Sequence, residues 1–463
     1  MNAGGRMPHR GGKLNISEAA RATVARVDGL RSSGWFKPFR NAGKLLVGRA
    51  GRGVFTVAYL AVAARVLGIE DFGALMLIQT LTLTFGGVMV FPSWQAIFSY
   101  GTPALVEGNR AQFHKVLKFA VILDLVGAAL GVVAVLLLME PAAGLVGIPE
   151  TYHGAARLYG LTVVLMALGN APDGVLRMLE RFDLMALQTV ITPGTRLVGA
   201  LGLLFVEAGL AAFLLVWFVS WLIGQAYLLL RAIVELKRRG LLKGAGWGLK
   251  GAWKPASGIW RFSVYANLNT TLTLVEARLG ILAAGWMLGP AAAGLLRIAA
   301  QLANLAIRPV VKLLLPALYP ELSRLRAEAR LGELKTMMGR TILVVTGTGA
   351  LFIAILAVFG EDLIRLIAGA GFESAYGVML WLAAGGVLAA ISTPIEPLLM
   401  SSGRPRTAVI AKAAAAATYA ASVFGFLHVF GLAGAGMAFV SYAVVLGLGF
   451  GQAAYRLRLG GRS

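Results

Sequence analysis

The stretch from Ala64 to Leu81 reads ARVLGIEDFGALMLIQTL and lies between two long apolar runs. Within it, Glu70 and Asp71 stand between two glycines, Gly68 and Gly73. Charged side chains avoid hydrocarbon, and glycine favours tight turns. The stretch therefore predicts a short hairpin loop that joins two membrane-spanning helices.

The composition of the whole chain supports a membrane protein. It has 463 residues, of which 58% are hydrophobic and 14% are charged, and its mean hydropathy is +0.76. Soluble domains carry roughly 25% charged residues, and an apolar run of about 20 residues can span a bilayer. We therefore expect an all-α polytopic membrane protein. The candidate spans lie at about 44–66, 73–97, 115–138, 154–176, 184–205, 210–231, 259–283, 291–315, 340–359, 375–400, 407–429 and 434–455.

The charge distribution predicts the orientation of the chain. It carries 43 Lys and Arg against 21 Asp and Glu, a net charge of +22. Loops on the cytoplasmic side of a membrane collect Lys and Arg, so this excess indicates membrane lipids rather than nucleic acid as the partner. Most of the cations share one side if both termini are cytoplasmic. The predicted regions are a basic tail (1–42), a six-helix bundle (43–234), a basic linker (235–257), a second six-helix bundle (258–456) and a short tail (457–463).

An internal repeat relates the two bundles. LGIEDFGALMLIQTL (67–81) aligns with LGPAAAGLLRIAAQL (288–302), an offset of 288 − 67 = 221 residues. PDGVLRMLERFDLMAL (172–187) aligns with IEPLLMSSGRPRTAVI (395–410), an offset of 395 − 172 = 223 residues. An even number of helices in each copy makes the repeats parallel. We therefore expect about twelve helices in two parallel six-helix repeats that form a V-shaped central cavity.

Polar side chains inside the predicted spans indicate what the cavity binds. In the eighth span Arg297, Gln301, Asn304 and Arg308 recur every three or four residues, which places them on one helix face. Arginine suits phosphate because its planar fork donates two parallel hydrogen bonds. Arg49, Arg52 and Arg308 lie near span ends and could instead extend towards the interface. The candidate substrate ligands are Arg297, Arg49, Arg52, Arg308, Arg278, Gln301, Asn304 and Asn267.

Four acids in or near the spans are candidates for binding a coupling proton or Na⁺. They are Glu276, Asp124, Asp173 and Glu396. Each could instead pair with a nearby arginine, and for Asp173 the i,i+4 spacing favours an ion pair with Arg177. The sequence contains neither a P-loop nor a metal-binding spacing of histidines, so we expect no cofactor, no metal and no catalytic site.

Several stretches together resemble one family. ARVLGIEDFGALML is similar to the junction of helices 1 and 2 in bacterial polysaccharide flippases, which reads like aRxLGpxxfGxy. LGPAAAGLLRIAAQLANL and LLPALYPELSRL resemble that family's helix 7–8 region and the loop that follows. GVLRMLERFDLMAL and SSGRPRTAVI resemble its cytoplasmic turns. The resemblance covers nearly all of the chain after residue 40 and places it in the multidrug/oligosaccharidyl-lipid/polysaccharide exporter (MOP) superfamily.

The resemblance implies a non-enzymatic flippase of the bacterial inner membrane. Its substrate would be an oligosaccharide repeat unit on undecaprenyl pyrophosphate, and its partners a polysaccharide polymerase and a chain-length regulator. The sequence departs from many relatives in the reading EARLGIL (276–282), where Arg278 follows the acid. Two other functions remain open: an ion-coupled multidrug exporter of the same superfamily, or a non-transporting scaffold for polysaccharide assembly. An enzyme would usually need a large outside loop, and the longest predicted one has about 17 residues.

Overall fold

A computed structural model describes residues 37–244, 246, 248, 251–305, 328, 330–392, 395 and 405–459. This part of the chain is built from helices and contains no β-strand. Eight of its helices are long and apolar enough to cross a membrane. The expectation of an all-α polytopic membrane protein is therefore confirmed.

Helix α1, Lys37–Met89, contains the motif that predicted a hairpin loop. Two helices do meet within the motif, but they meet at one residue, Gly68, whose φ is 72° and ψ is −177°, and the rest of the predicted loop up to Gly73 is helical. Glycine reaches this backbone conformation without the steric penalty of a Cβ atom, so one residue suffices to break the helix. We call 37–67 the first arm of α1 and 69–89 its second arm. Gly73 lies inside the second arm and is not a turn residue.

The remaining helices of the N-terminal half include one predicted span that is broken. The stretch predicted as a single span at 154–176 is three short helices, α5 to α7. The interruptions fall at Leu161 and Gly169, and the residues that follow them, Thr162 and Asn170, bind the backbone carbonyls of Tyr159 and Met166 through their side chains. The helices are α2 (Ser93–Ala96), α3 (Thr102–Val106), α4 (Arg110–Leu145), α5 (His153–Gly160), α6 (Thr162–Leu168), α7 (Asn170–Met178), α8 (Phe182–Gly202) and α9 (Leu210–Arg238).

The C-terminal half repeats the break seen at Gly68. Gly289, which ends helix α10, has φ 87° and ψ 173°. The two glycines that the repeat aligned thus share one unusual backbone conformation, which supports the duplication. The C-terminal helices are α10 (Ile259–Leu288), α11 (helical over the described residues 290–305), α12 (Leu331–Ala368), α13 (Ala375–Ser392), α14 (Pro405–Phe430) and α15 (Leu432–Leu459).

The two halves meet at the end of the molecule that holds Gly68 and Gly289, which we call the bend end. A Cβ atom placed on Gly73 would lie 1.9 Å from the carbonyl oxygen of Pro290, so the two backbones are in direct contact. Close by, the rings of Phe72 and Phe372 pack edge to face at 5.6 Å. Arg65 also donates a hydrogen bond to the carbonyl of Leu366 on α12.

Helix α10 contacts both halves of the molecule. Along the second arm of α1, Leu274 packs against Gly87 and Leu77 packs against Gly285. Its other neighbours are α14 and α15 of the C-terminal half. The helix that carries Asn267, Glu276 and Arg278 therefore lies between the two bundles.

Candidate functional site

The polar stripe of α11 lies on the less buried face of that helix. Arg297, Gln301 and Asn304 are each half-buried. The residues between them, including Ile298 and Leu302, are almost fully buried in the core. The amphipathic spacing predicted for the eighth span is therefore present in the fold, although Arg308 lies outside the described residues.

Arg278 of α10 and Arg297 of α11 are near one another. Arg297 lies close enough for its charge to act on the guanidinium group of Arg278. The Nη1 atom of Arg278 is buried and has no hydrogen-bond partner among the described residues. Two like charges near one another in a partly buried setting repel each other and lose hydration, so an anion between them would be stabilised.

Glu276 lies on the same helix but binds elsewhere. Its Oε2 accepts a hydrogen bond of 2.7 Å from the hydroxyl of Tyr442 on α15. Tyr419 of α14 is also close enough to feel the carboxylate charge, and its ring packs edge to face on Tyr442 at 6.3 Å. The acid is thus built into the C-terminal bundle together with two tyrosines. No local sequence pattern marks these partners, because 166 residues separate Glu276 from Tyr442.

Asn267 lies nearer the start of α10 and binds the other half. Its Nδ2 donates a 3.1 Å hydrogen bond to the carbonyl of Val88, in the last turn of the second arm of α1. Its Oδ1 is buried without a partner among the described residues. The side chain therefore joins the two halves and keeps one acceptor for another donor.

The first arm of α1 carries Arg49 and Arg52, two of the predicted ligands. Arg52 is exposed, and the side chain of Arg49 lies outside the described residues. Two turns further along the helix, Tyr59 is only 3% exposed. The surroundings of the helix therefore change between Arg52 and Tyr59.

Tyr59 packs against a buried arginine that the predicted ligands did not include. Arg196 of α8 is 6% exposed, and its guanidinium lies 4.9 Å from the ring of Trp217 and 5.5 Å from that of Tyr59. Its Nε donates a 3.0 Å hydrogen bond to the hydroxyl of Ser220 on α9. Aromatic faces stabilise a desolvated cation. The only sequence signal was an arginine within an apolar span.

The acids of the N-terminal half have partners within that half. Asp173 forms the predicted i,i+4 ion pair with Arg177 at 2.6 Å. Asp124 of α4 is 2% exposed, and its Oδ2 accepts a 2.9 Å hydrogen bond from the backbone amide of Ala171 in the first turn of α7. Its Oδ1 is buried, with no hydrogen-bond partner in the described part of the chain. Glu396, the fourth acid, lies outside the described residues.

Comparison with known proteins decides the family. Residues 62–376 match the family described as polysaccharide biosynthesis protein. The chain belongs to this family. It is also 30% identical over 308 residues to the inner membrane protein YghQ of Escherichia coli K12, a match that covers 66% of this chain and 86% of that protein.

Solved structures of the MOP superfamily share the fold. An inward-facing multidrug resistance MATE transporter superposes with a TM-score of 0.68 at 14% identity, covering 90% of this chain and 95% of that one. An outward-facing MATE transporter gives 0.62 at 14% identity, covering 92% and 97%. A Pyrococcus furiosus transporter reported to have a binding pocket of reversed polarity gives 0.60 at 13% identity, covering 92% and 96%. The predicted all-α fold of two six-helix repeats, which these structures share, is confirmed.

Proposed function

We propose that this polysaccharide biosynthesis protein is a flippase. It would move undecaprenyl-pyrophosphate-linked oligosaccharide repeat units from the inner to the outer leaflet of the bacterial inner membrane by alternating access. The family and the MOP fold support a transporter over an enzyme. The inner-membrane relative supports the location, and the excess of Lys and Arg on one side supports cytoplasmic termini.

The observations that carry this proposal are the Nη1 atom of Arg278, which is buried without a hydrogen-bond partner among the described residues, and the charge of Arg297 nearby. A pyrophosphate carries negative charge on several oxygens, and each guanidinium can donate two parallel hydrogen bonds to them. Binding would relieve the repulsion between the two cations. Gln301, Asn304 and Asn267 supply neutral polar groups around the same cavity, and Arg49, Arg52 and Arg308 are proposed to contribute further positive charge.

A proton or Na⁺ gradient would drive the transport. Glu276 is the best candidate of the four acids for this role. Tyr442 donates a hydrogen bond to it and Tyr419 lies nearby, so the acid belongs to the C-terminal bundle that would move. Asp173 is already neutralised by Arg177, and Asp124 is tied to the backbone of α7. A polymerase and a chain-length regulator are the expected partners, since a flipped repeat unit must be joined into a chain.

Export of small organic cations is a second candidate function. Glu276 between two tyrosines is the arrangement that favours it, because a carboxylate and aromatic rings together bind cations. The pair of arginines in the same cavity opposes this function, since it would repel such a substrate.

The test is transport of a fluorescent undecaprenyl-pyrophosphate oligosaccharide in proteoliposomes, with and without a pH or Na⁺ gradient. Arg278→Gln and Arg297→Gln should each slow translocation by about tenfold or more, because a charge-assisted hydrogen bond to phosphate contributes about 1.5–3 kcal/mol. The matched control is Arg157→Gln, which removes an arginine from an exposed ion pair with Glu140. The proposal would be overturned if the wild-type protein did not translocate the fluorescent lipid under either gradient, or if it transported an organic cation instead.

A further inference from the structure

The membrane-facing surface of α4 ends in two lysines. Leu125, Val133 and Leu136 are 54%, 53% and 54% exposed, and they stand on one face of this apolar helix. At 100° per residue, Lys115 and Lys118 lie on that same face, about two to three turns before Leu125. The face that contacts lipid tails therefore continues directly into two ammonium groups.

The segment that joins the two halves is bound to the same end of α4. We call the described residues of 241–258 the linker strap. The carbonyl of Gly248 accepts a 2.6 Å hydrogen bond from Nζ of Lys118, and the carbonyl of Leu241 lies 2.7 Å from Nε2 of His114. A Cβ atom on Gly251 would lie 3.5 Å from Cε of Lys115. The two lysines are thus held at the strap, and an ammonium that gives one N–H to Gly248 has two others.

Two tryptophans complete this surface. Trp253 of the strap is 52% exposed and stacks on Trp260 with centroids 6.1 Å apart and planes 11° apart. The indole N–H of Trp260 donates a 2.6 Å hydrogen bond to the carbonyl of Trp253, and its ring packs edge to face on Phe119 at 5.1 Å. Tryptophan concentrates at the level of the lipid headgroups because its ring is apolar and its N–H is polar.

The charge around the strap has one sign. Residues 241–262 contain no Asp or Glu in the sequence. They contain four cations: Lys243, Lys250, Lys254 and Arg261. An acidic lipid surface is therefore the complementary partner.

We propose that Lys115, Lys118 and the linker strap form a binding site for the headgroup of an anionic phospholipid. The lysines bind the phosphate, the acyl chains lie on the exposed apolar face of α4, and Trp253 packs beside the glycerol region. The occupant is a membrane lipid rather than a soluble phosphate, because the lysines follow directly from the face that contacts lipid tails. This site is separate from the arginines of the central cavity and does not depend on the proposed transport function.

The experiment uses the full-length protein in phosphatidylcholine nanodiscs that contain brominated lipid, which quenches tryptophan at close range. Equal fractions of brominated phosphatidylglycerol and brominated phosphatidylcholine are compared. The chain has nine tryptophans, so the Trp253→Phe variant is measured in parallel and the difference isolates Trp253. Brominated phosphatidylglycerol should quench Trp253 more strongly than brominated phosphatidylcholine does.

The charge variants test the site itself. Lys115→Gln/Lys118→Gln should reduce the preference for phosphatidylglycerol by about fivefold for each lysine removed. Lys237→Gln/Arg238→Gln is the matched control, since it removes the same charge from exposed positions at the end of α9 and should largely keep the preference.

Three results would overturn the proposal. The first is equal quenching of Trp253 by the two brominated lipids. This result is measured in the wild-type protein, so it does not depend on whether the charge variants fold. The second is an equal loss of preference in the control, which would indicate general surface charge. The third is abolition of the preference by inorganic phosphate at constant ionic strength, which would indicate a site for soluble anions.

Discussion

Gly73 and Gly294 touch each other across the boundary between the two halves. A Cβ atom added to Gly294 would lie 3.0 Å from the Cα of Gly73. These are the two glycines that the 221-residue repeat aligns, so each copy presents the same residue to the other. The proposed alternating access requires the two halves to separate at one end to release substrate, so this contact is expected to break when the bend end opens.

Gly73→Ala should favour the state in which the bend end is open. The new methyl group would meet the backbone of Pro290, which cannot rotate away as a side chain could. The measurement is the distance between spin labels on Glu150→Cys and Glu361→Cys, and the absence of native cysteine makes the labelling specific. The distance distribution should shift to longer values. Gly154→Ala, which adds a methyl group to open space, should leave it unchanged; an unchanged distribution in Gly73→Ala would contradict the prediction.

Glu276→Gln should remove the dependence of transport on the ion gradient. Glutamine keeps an oxygen that accepts the hydrogen bond from Tyr442, so the C-terminal bundle should retain its packing. It can neither bind a proton as a carboxylate does nor neutralise Na⁺. Initial rates in proteoliposomes with and without the gradient measure this, with Glu140→Gln at the exposed ion pair as the control. A full response to the gradient in Glu276→Gln would exclude this residue from coupling.

Arg196→Lys should destabilise the N-terminal half by about 1–3 kcal/mol. Lysine loses the planar group that stacks between Tyr59 and Trp217 and cannot reproduce the geometry of the bond to Ser220. Thermal unfolding in detergent, followed by tryptophan fluorescence, should show a lower Tm. Arg157→Lys in the exposed ion pair should change Tm little. An equal Tm for both variants would show that the aromatic contacts of Arg196 contribute no stability.

Asp183 should stabilise the protein only above acidic pH. Arg181 binds this carboxylate through two hydrogen bonds and holds the pKa of Asp183 below its ordinary value. A carboxyl group with a depressed folded-state pKa contributes stability above its unfolded pKa of about 3.9 and loses it as the pH falls through the lower folded value. Wild type should therefore exceed Asp183→Asn in Tm at pH 6, and the difference should shrink below about pH 4. A constant difference across that range would contradict this assignment.

Asp124→Asn and Asp124→Ala should differ in stability. Asparagine keeps an acceptor for the amide of Ala171, whereas alanine leaves that buried N–H unsatisfied at a cost of about 1–3 kcal/mol. Thermal unfolding should thus show a lower Tm for the alanine variant only. A stable Asp124→Asn variant that no longer responds to an ion gradient would place coupling at Asp124 instead of Glu276.

The sequence predicted the features that depend on local pattern. Hydropathy gave the membrane class, and the aligned glycines at 68 and 289 gave the repeat, because each signal is read from short stretches of sequence without knowing which helices touch. The half-buried face of α11 also followed from the spacing of Arg297, Gln301 and Asn304. These properties are set by helix geometry and need no knowledge of neighbouring helices.

Features that depend on tertiary contact were missed. Gly73 looked like a turn residue, but its role is to let the backbone of Pro290 approach. The tyrosine that binds Glu276 and the aromatic rings around Arg196 come from distant parts of the chain, so no local pattern marks them. The helix interruptions next to Thr162 and Asn170 were not predicted. A hydropathy profile measures apolar character and does not show which side chains bind the backbone.

The matching backbone conformations of Gly68 and Gly289 have a consequence for how the chain tolerates mutation. Both residues adopt positive φ values that other amino acids rarely accept, and both lie at open positions where a side chain would meet no neighbour. The penalty for replacement therefore arises from the backbone alone and should be nearly equal in the two halves. In a saturation mutagenesis profile, substitutions at positions 68 and 289 should be harmful regardless of side-chain size. The two positions should be equally intolerant, as expected for equivalent residues of a duplication.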